Sequence, residues 1–324
     1  MSNTSRQGEL GAAAHAAGVH PHLQALVARA RERGAIAVAI AYPCDAASIE
    51  AAQAAAQAGL IRPLLVGPRV RIEAAAAQAG IALDGMTLHD SADDPRQAAA
   101  LAVALCRNGE AAALMKGALH SDDLLAAAVG RDGGLRGSSR ASHVFVMDVP
   151  GVDRPLLLTD CVVNIAPGLL DKRDIVQNAI GLAQALGITT PRVAILSAVE
   201  SVNPAIHGTI DAAALCKMAE RGQISGALLD GPLGFDNAIS LASARHKGIT
   251  SEVAGRPDVL LMPGIEAGNI AYKALVYLAG ADCAGLVLGL RVPVVLTSRS
   301  DSVASRVASC ALAVLASAPA AARA

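Results

Sequence analysis

The residues best placed for chemistry lie at the last strand-to-helix junction of the chain, RVPVVLTSRSDS, residues 291–302. An apolar, mostly β-branched run, 292–297, predicts a buried strand, and the apolar-periodic segment behind it predicts a helix. Between them, Ser298, Arg299 and Asp301 place a hydroxyl, a cation and a carboxylate beside the positive end of a helix dipole, which predicts a site for an oxyanion or a phosphate. The alternative interpretation is helix capping by Ser300, Asp301 or Ser302. It does not account for Arg299, because a cation opposes the dipole there unless an anion joins it.

Further polar residues stand at the ends of other predicted strands, where ligands bind in open α/β sheets. Lys116 ends one such strand and is either an anion-binding residue or an exposed loop lysine. Asn164 shares a turn with Asp160, and an aspartate in a turn is more often a turn or cap residue than a base. Gly268 precedes a predicted helix and either lets a ligand approach the backbone or serves packing. The candidate binding residues at these strand ends are Lys116, Asn164, Gly268, Asn269 and Lys273.

Short apolar strands alternate with alanine-rich helices along most of the chain. This alternation predicts an α/β fold with a mainly parallel sheet and helices on both of its faces. The predicted strands are 35–41, 63–66, 111–115, 192–196, 227–230, 259–262 and 285–290. The predicted helices are 46–58, 70–78, 95–107, 171–186, 211–221 and 303–315.

One segment departs from the alternation and divides the chain. Two predicted strands, 143–149 and 155–160, follow a glycine- and arginine-rich loop and are joined by the turn residues 150–153, a pattern typical of an antiparallel hairpin. A hairpin inside an α/β chain indicates a change of domain, and 324 residues exceed the usual single-domain range. The expected parts are a first domain of residues 20–141 plus 297–324, a second domain of residues 142–296, and a flexible N-terminus of residues 1–19.

The composition argues against several classes of function. The 27 basic and 28 acidic residues nearly cancel, so neither nucleic acid nor an anionic membrane is an expected partner. The apolar stretches are too short to span a membrane, and the first residues show no secretory signal pattern. Six scattered cysteines are typical of reduced thiols in a cytoplasmic protein. The sequence has no metal-spaced His/Cys cluster, dinucleotide-binding turn, P-loop or nucleophile elbow, which argues against metal, NAD, ATP and covalent serine chemistry.

Residues 258–302, which contain GNIAYK and SRSDS, resemble the C-terminal signature of the phosphate acetyl/butyryltransferase family. The resemblance extends from about Ala35 to the end of the chain, through SHVFVMDVPG, LLLTDCVVNIAP and LLDGPLGFDNA. The segments LMKGALHSDDLL and TSRSDS resemble the butyryl branch more than the acetyl branch, which usually has a serine–arginine–glycine sequence.

This resemblance implies both a reaction and an architecture. Enzymes of the family interconvert a short-chain acyl-CoA and phosphate with acyl phosphate and CoA, by direct transfer in a ternary complex without a metal or an acyl-enzyme. Acyl-CoA and phosphate are therefore the expected partners, CoA is a substrate, and no permanently bound cofactor is expected. The family also implies a two-domain fold like that of isocitrate and isopropylmalate dehydrogenases, with three α/β/α layers, an interdomain cleft and commonly a homodimer.

The family's site residues match the serine–arginine pair of this chain. By match, Ser298 stabilises the transition state and Arg299 binds phosphate. The acetyl branch has a further aspartate that acts on the CoA thiol, but Ser305 occupies that position here. Asp301 either replaces that aspartate or only caps the final helix. Two other phosphate-contacting arginines of the acetyl branch lack clear equivalents, and the candidates for their place are Lys116, Arg131, Arg136 and Arg140.

Two alternatives to an acyltransferase stay open. A metal-dependent decarboxylating dehydrogenase of the same fold requires clustered aspartates and a nicotinamide site, and the sequence assembles neither convincingly. A non-catalytic acyl-CoA-sensing module would resemble domains that are fused to malic enzymes. This chain shows no fused partner and retains Ser298 and Arg299, so catalysis is the favoured prediction.

Overall fold

The computed structural model describes residues 20–131, 134–298 and 301–317. Arg299 and the predicted flexible N-terminus lie outside the described residues. The helices are α1 (Pro21–Arg33), α2 (Ala46–Gln57), α3 (Arg69–Ala79), α4 (Pro95–Arg107), α5 (Ser121–Ala128), α6 (Leu169–Ala185), α7 (His207–Glu220), α8 (Phe235–Ile239), α9 (Leu241–His246), α10 (Ile265–Ala279) and α11 (Val303–Ala316). The strands are β1 (Ile36–Ala41), β2 (Ile61–Gly67), β3 (Thr87–Asp90), β4 (Ala113–Lys116), β5 (Ser142–Asp148), β6 (Leu156–Thr159), β7 (Arg192–Leu196), β8 (Leu228–Leu233), β9 (Val259–Leu261), β10 (Asp282–Leu288) and β11 (Val294–Val295).

The described chain forms two compact units, each with its own core. The hairpin unit contains residues 142–283 together with 20–24, and the serine unit contains residues 25–141 together with 284–317. These units are groups of contacting residues. The predicted domain bounds, and the assignment of the chain's end to the first domain, stay a prediction.

The strands of the serine unit follow the order β3-β2-β1-β4-β11, and neighbours in this order run parallel. β10 pairs with β11 in the antiparallel direction, with Val287 opposite Val294. Buried aliphatic side chains fill the strands, and the alanine-rich helices α2 and α4 bury mostly small residues, so helix and sheet pack closely. α11 is buried almost throughout its length, as is typical of a helix in the core of a domain.

The hairpin unit contains the one predicted departure from parallel order. β5 and β6 pair antiparallel, with Val144 opposite Thr159, which confirms the predicted hairpin. The Val152 N–H donates to the Val149 carbonyl at 3.0 Å and closes the turn, in which Gly151 adopts a φ of 83° that glycine reaches without strain. From β6 the sheet of this unit continues in parallel through β9, β7 and β8. The predicted α/β fold with a mostly parallel sheet is therefore confirmed.

The structure differs from the predicted elements in several places. The predicted strand at 292–297 is shortened to the two residues of β11, because Pro293 has no N–H for the sheet and polar residues begin at Thr297. α1, α5, α9 and β3 were not predicted; α5, α9 and β3 are short, with eight, six and four residues. α10 begins at Ile265, so Gly268 lies inside the helix and not before it.

Within the residues that the structure describes, no helix combines the length and the apolar character needed to cross a membrane.

Candidate active site

The described residues between β11 and α11, 296–298 and 301–302, are called the serine loop below, and within them Ser298 and Asp301 are hydrogen-bonded to each other. The Ser298 N–H donates to Asp301 Oδ2 at 2.6 Å, and the Asp301 N–H donates to the Ser298 carbonyl at 3.3 Å. Ser302 is the N-cap of α11, because its Oγ accepts from the Ser305 N–H at 3.0 Å. Capping of the final helix by Asp301, one of the two predicted roles, is therefore wrong. Its carboxylate shapes the loop around Ser298 instead.

Arg306 holds the serine loop from the side of the core. It lies one turn into α11 and is only 7% exposed. One Nη atom donates to the Ser298 carbonyl at 3.2 Å and the other donates to the Ala47 carbonyl, in the first turn of α2, at 3.0 Å. Arg306 was not among the residues predicted from the sequence, although one signal was available: it is the single charged residue in the otherwise apolar and small-residue sequence of α11, VASRVASCALAVLA.

Lys116 is buried at the carboxyl end of β4, so its interpretation as an exposed loop lysine is wrong. The residue is 8% exposed, and its Nζ donates to the carbonyls of Gly117 and Leu119, both at 3.3 Å. The backbone beside it is tightly packed, because a Cβ at Gly117 would lie 2.5 Å from the Ala41 carbonyl. An ammonium fixed at a strand end suits a point-charge contact with an anion.

The arginine-rich loop gives less support to a phosphate site. Arg136 Nε donates to the carbonyl of Val129, the C-cap residue of α5, at 2.6 Å. A cation at a helix C-terminus is stabilised by the dipole, so this contact supports a capping role. Arg131 and Arg140 are exposed.

In the hairpin unit, Asp160 orders the loop that follows β6. Its carboxylate is buried and accepts from the backbone N–H groups of His143 (3.1 Å), Val162 (2.8 Å), Val163 (2.9 Å) and Asn164 (3.3 Å), and from Asn164 Nδ2 (2.6 Å). A carboxylate whose oxygens accept this many hydrogen bonds stabilises the loop that supplies them. The interpretation of Asp160 as a turn residue is therefore favoured, and Asn164 belongs to the same buried network.

The loop after β6 docks on the first turns of α10. A Cβ at Gly268 would lie 2.7 Å from the Asp160 carbonyl oxygen, so the glycine is needed for contact between two segments of this unit. Asn269 Nδ2 donates to the Cys161 carbonyl at 3.3 Å. Lys273 follows one turn later on α10 and is exposed. Of the two interpretations of Gly268, packing is the one that these contacts favour.

His143 is buried beneath this loop and was not singled out from the sequence. Its ring lies 4.3 Å from the Phe145 ring in an edge-on arrangement, and the Phe145 ring stacks on that of Tyr272 at 4.1 Å. Neither ring nitrogen has a hydrogen-bond partner among the described residues. Burial lowers the pKa of His143 from 6.5 to about 4, and the nearby Asp160 carboxylate only partly opposes this. The imidazole is therefore neutral at physiological pH.

Together, these groups suit anion chemistry at the serine loop. An exposed serine hydroxyl stands beside a helix N-terminus, whose N–H groups carry partial positive charge, and beside a buried guanidinium. Within the described ranges, no group of three or more His, Cys, Asp or Glu side chains is arranged to hold a metal ion.

Comparison with known proteins gives a consistent result along most of the chain. Residues 84–314 match the family model described as "Phosphate acetyl/butaryl transferase". A phosphate acetyltransferase of Rhizobium meliloti is 53% identical over 290 residues, which make up 90% of this chain and 92% of that protein. A phosphate butyryltransferase of Clostridium beijerinckii is 42% identical over 290 residues, or 90% of this chain and 96% of that protein. These identities do not support the predicted leaning towards the butyryl branch.

A solved structure is similar over the same extent. The branched-chain phosphotransacylase from Enterococcus faecalis V583 matches with a TM-score of 0.76 at 30% identity, covering 87% of this chain and 98% of that chain. Ser298 and Arg306 lie within residues 84–314, which match the family model. The chain belongs to the phosphate acetyl/butyryltransferase family.

Proposed function

We propose that this chain transfers a short acyl group, acetyl or butyryl, between CoA and inorganic phosphate. The observation that carries the proposal is the serine loop, in which an exposed serine is fixed at a strand end beside the N-terminus of α11 in a chain of this family. Acyl-CoA and phosphate are the substrates, and no permanently bound cofactor takes part.

The proposed reaction is a direct transfer in a ternary complex. An oxygen of hydrogen phosphate attacks the thioester carbonyl carbon, the carbon–sulfur bond breaks, and the CoA sulfur leaves with the bonding electron pair and takes up the proton that the phosphate loses. The tetrahedral intermediate carries an oxyanion, and one preorganised donor aimed at it contributes about 3 kcal/mol. We assign this role to the Ser298 hydroxyl, supported by the N–H groups at the start of α11. Binding both substrates at once lowers the activation barrier further, because it orients the phosphate towards the thioester.

We assign the phosphate to Arg299 and Lys116, because a guanidinium binds two phosphate oxygens at once and an ammonium adds a point charge. The support for Lys116 is its burial at a strand end, and the support for Arg299 is the family match. Arg136 and Arg140 are weaker candidates, because Arg136 already caps α5. Asn164, Gly268, Asn269 and Lys273 are the hairpin unit's candidates for contacts to the substrates, with Asp160 fixing the loop that carries Asn164.

We propose that Asp301 positions Ser298 and does not act as the base for the CoA thiol. Its carboxylate accepts the Ser298 N–H at 2.6 Å, a charge-assisted contact that would be weakened by protonation. A free thiol has a pKa near 8.5, so nearby cations alone can support a thiolate leaving group.

The proposed architecture extends the fold described above. We propose a two-domain arrangement like that of isocitrate and isopropylmalate dehydrogenases, with three α/β/α layers and a homodimer, in the cytoplasm. The mostly parallel strand order supports the α/β part of this proposal, and family membership supports the rest.

The test is CoA release from acetyl-CoA and butyryl-CoA, with and without phosphate and with no metal added, followed with a thiol reagent. Phosphate-dependent release is the expected result, and the ratio of the two rates gives the acyl preference. Exchange of labelled CoA into acyl-CoA without phosphate would indicate an acyl-enzyme and contradict direct transfer. Binding of acyl-CoA without any release would favour a non-catalytic sensor.

A further inference from the structure

Among the residues that the structure describes, Arg306 is a buried cation without a carboxylate partner. It is 7% exposed, and both of its described hydrogen bonds go to neutral backbone carbonyls, those of Ser298 and Ala47. Its Nε is buried without a hydrogen-bond partner, and none of its contacts among the described residues is an ion pair. A guanidinium in this position is incompletely compensated within the protein.

This arrangement is unfavourable for folding alone. A buried charge is tolerated when it is paired, and carbonyl dipoles replace only part of its lost hydration. The positive end of the α11 dipole lies one turn away and does not compensate the charge either. A neutral apolar residue would suit the buried α11 better, so the positive charge points to an anion that arrives from outside the protein.

The contacts of Arg306 also connect two helix starts of the serine unit. Ala47 lies in the first turn of α2, whose N-cap is Asp45, and Ser298 lies in the connection that leads into α11. The two bonds span 259 and 8 residues of sequence, so the guanidinium joins distant segments through its rigid fork. The position of Ser298 therefore depends on Arg306 as well as on Asp301.

We propose that Arg306 is a positioning residue for acyl transfer to phosphate. It fixes the Ser298 carbonyl from the core side, and its buried charge raises the affinity of the serine loop for the anionic substrate. This inference rests on the proposed function. A lysine at this position would separate the two contributions, because it keeps the positive charge but cannot bind both carbonyls with a planar fork.

The test compares Arg306→Met, Arg306→Lys and the wild type by initial rates over a range of phosphate concentrations. We expect Arg306→Met to raise the KM for phosphate about tenfold and to lower kcat as well. A hydrogen bond to a charged group contributes about 10- to 100-fold to an equilibrium constant. Arg306→Lys should restore most of the KM and little of kcat. The matched control is Arg33→Met, because Arg33 also donates to a carbonyl of α11, that of Leu315 at 3.0 Å, and should leave both constants unchanged.

Calorimetric titration with inorganic phosphate separates this inference from the proposed function. A wild type that binds phosphate more tightly than Arg306→Met supports the charge role even if no acyl transfer is detected. A folded Arg306→Met variant with unchanged phosphate affinity, KM and kcat would overturn the inference. If Arg306→Met does not fold, Arg306→Lys decides: a lowered kcat with nearly unchanged KM supports positioning, and wild-type kinetics overturns it.

Discussion

Two strand-end loops, one in each unit, are both organised by an aspartate, but they are organised differently. In the hairpin unit, Asp160 is buried and gathers the N–H groups of its own loop and of β5, and the loop is docked on α10. In the serine unit, the Asp301 carboxylate lies on a partly exposed loop and accepts the N–H of Ser298, while a cation holds the Ser298 carbonyl from the core side.

The difference indicates a division of labour between the two loops. The Asp160 network satisfies its charge internally, so it serves as a rigid support and has little capacity left for a ligand. The serine loop keeps an exposed hydroxyl, a helix N-terminus and an incompletely compensated cation. Changes at Asp160 should therefore be felt mainly in stability, and changes at Ser298 mainly in turnover.

The largest effect is expected from Ser298→Ala. Removal of one oxyanion donor should lower kcat by about 100- to 1,000-fold. The thermal unfolding midpoint should stay at the wild-type value, because the Ser298 side chain is exposed and its backbone contacts remain. Steady-state kinetics and a thermal melt on the same preparation check both parts. Near-normal turnover would place the chemistry elsewhere.

Asp160→Ala should affect mainly stability, whereas Ser298→Ala should affect mainly turnover. The substitution leaves buried N–H groups without an acceptor, so the free energy of unfolding should fall by about 3 kcal/mol or more. Urea denaturation followed by circular dichroism measures this loss. The control is Asp153→Ala, because the Asp153 side chain is 86% exposed and its loss should change stability little. Equal stability of the two variants would contradict the buried network.

Gly268→Ala tests the docking of the loop on α10. The added Cβ would meet the Asp160 carbonyl oxygen at 2.7 Å, so we expect a loss of roughly 1–3 kcal/mol from overpacking. Gly181, in α6, has no atom within 4 Å of an added Cβ, and Gly181→Ala should be neutral or stabilising by about 0.5–1 kcal/mol. If both alanines behave alike in denaturation, the close contact is not present in solution.

The last effect is a pH dependence of stability from His143. Because burial lowers its pKa from 6.5 to about 4, the unfolded chain takes up a proton below pH 6.5 that the folded chain refuses until about pH 4. Stability should therefore be complete above pH 6.5 and fall by roughly 1.4 kcal/mol per pH unit within this window. Denaturation at pH 7.5, 6 and 5 should give a shallower slope for His143→Gln than for the wild type. The exposed control His246→Gln should keep the wild-type slope.

The parts that the sequence predicts well are those that depend on local pattern. Strand and helix alternation predicted α4 and β7 to the residue, and the turn at 150–153 predicted the hairpin. Ser298 and Asp301 stood out because polar residues interrupt an apolar run between a strand and a helix. The sequence left the role of Asp301 open, because loop closure and helix capping use the same residue types.

The parts that escape the sequence depend on contacts between distant segments. The sequence shows Arg306 only as the single charge of an apolar helix, whereas its burial and its bond to Ala47, 259 residues away, depend on the packing of distant segments. His143 lies in an apolar strand, and its burial without a hydrogen-bond partner among the described residues follows only from the packing of that strand against the loop of Asp160. Lys116 was assigned to the correct strand end, but its burial depends on packing that no local pattern encodes.

The central claim is that acyl transfer to phosphate takes place at the serine loop. The most direct measurement is the rate of CoA release from acetyl-CoA, with and without phosphate, for the wild type and Ser298→Ala at equal concentrations of folded protein. The account predicts release that requires phosphate in the wild type and falls by about 100-fold or more in the variant. Release that is independent of phosphate, or equal in the two proteins, would contradict it.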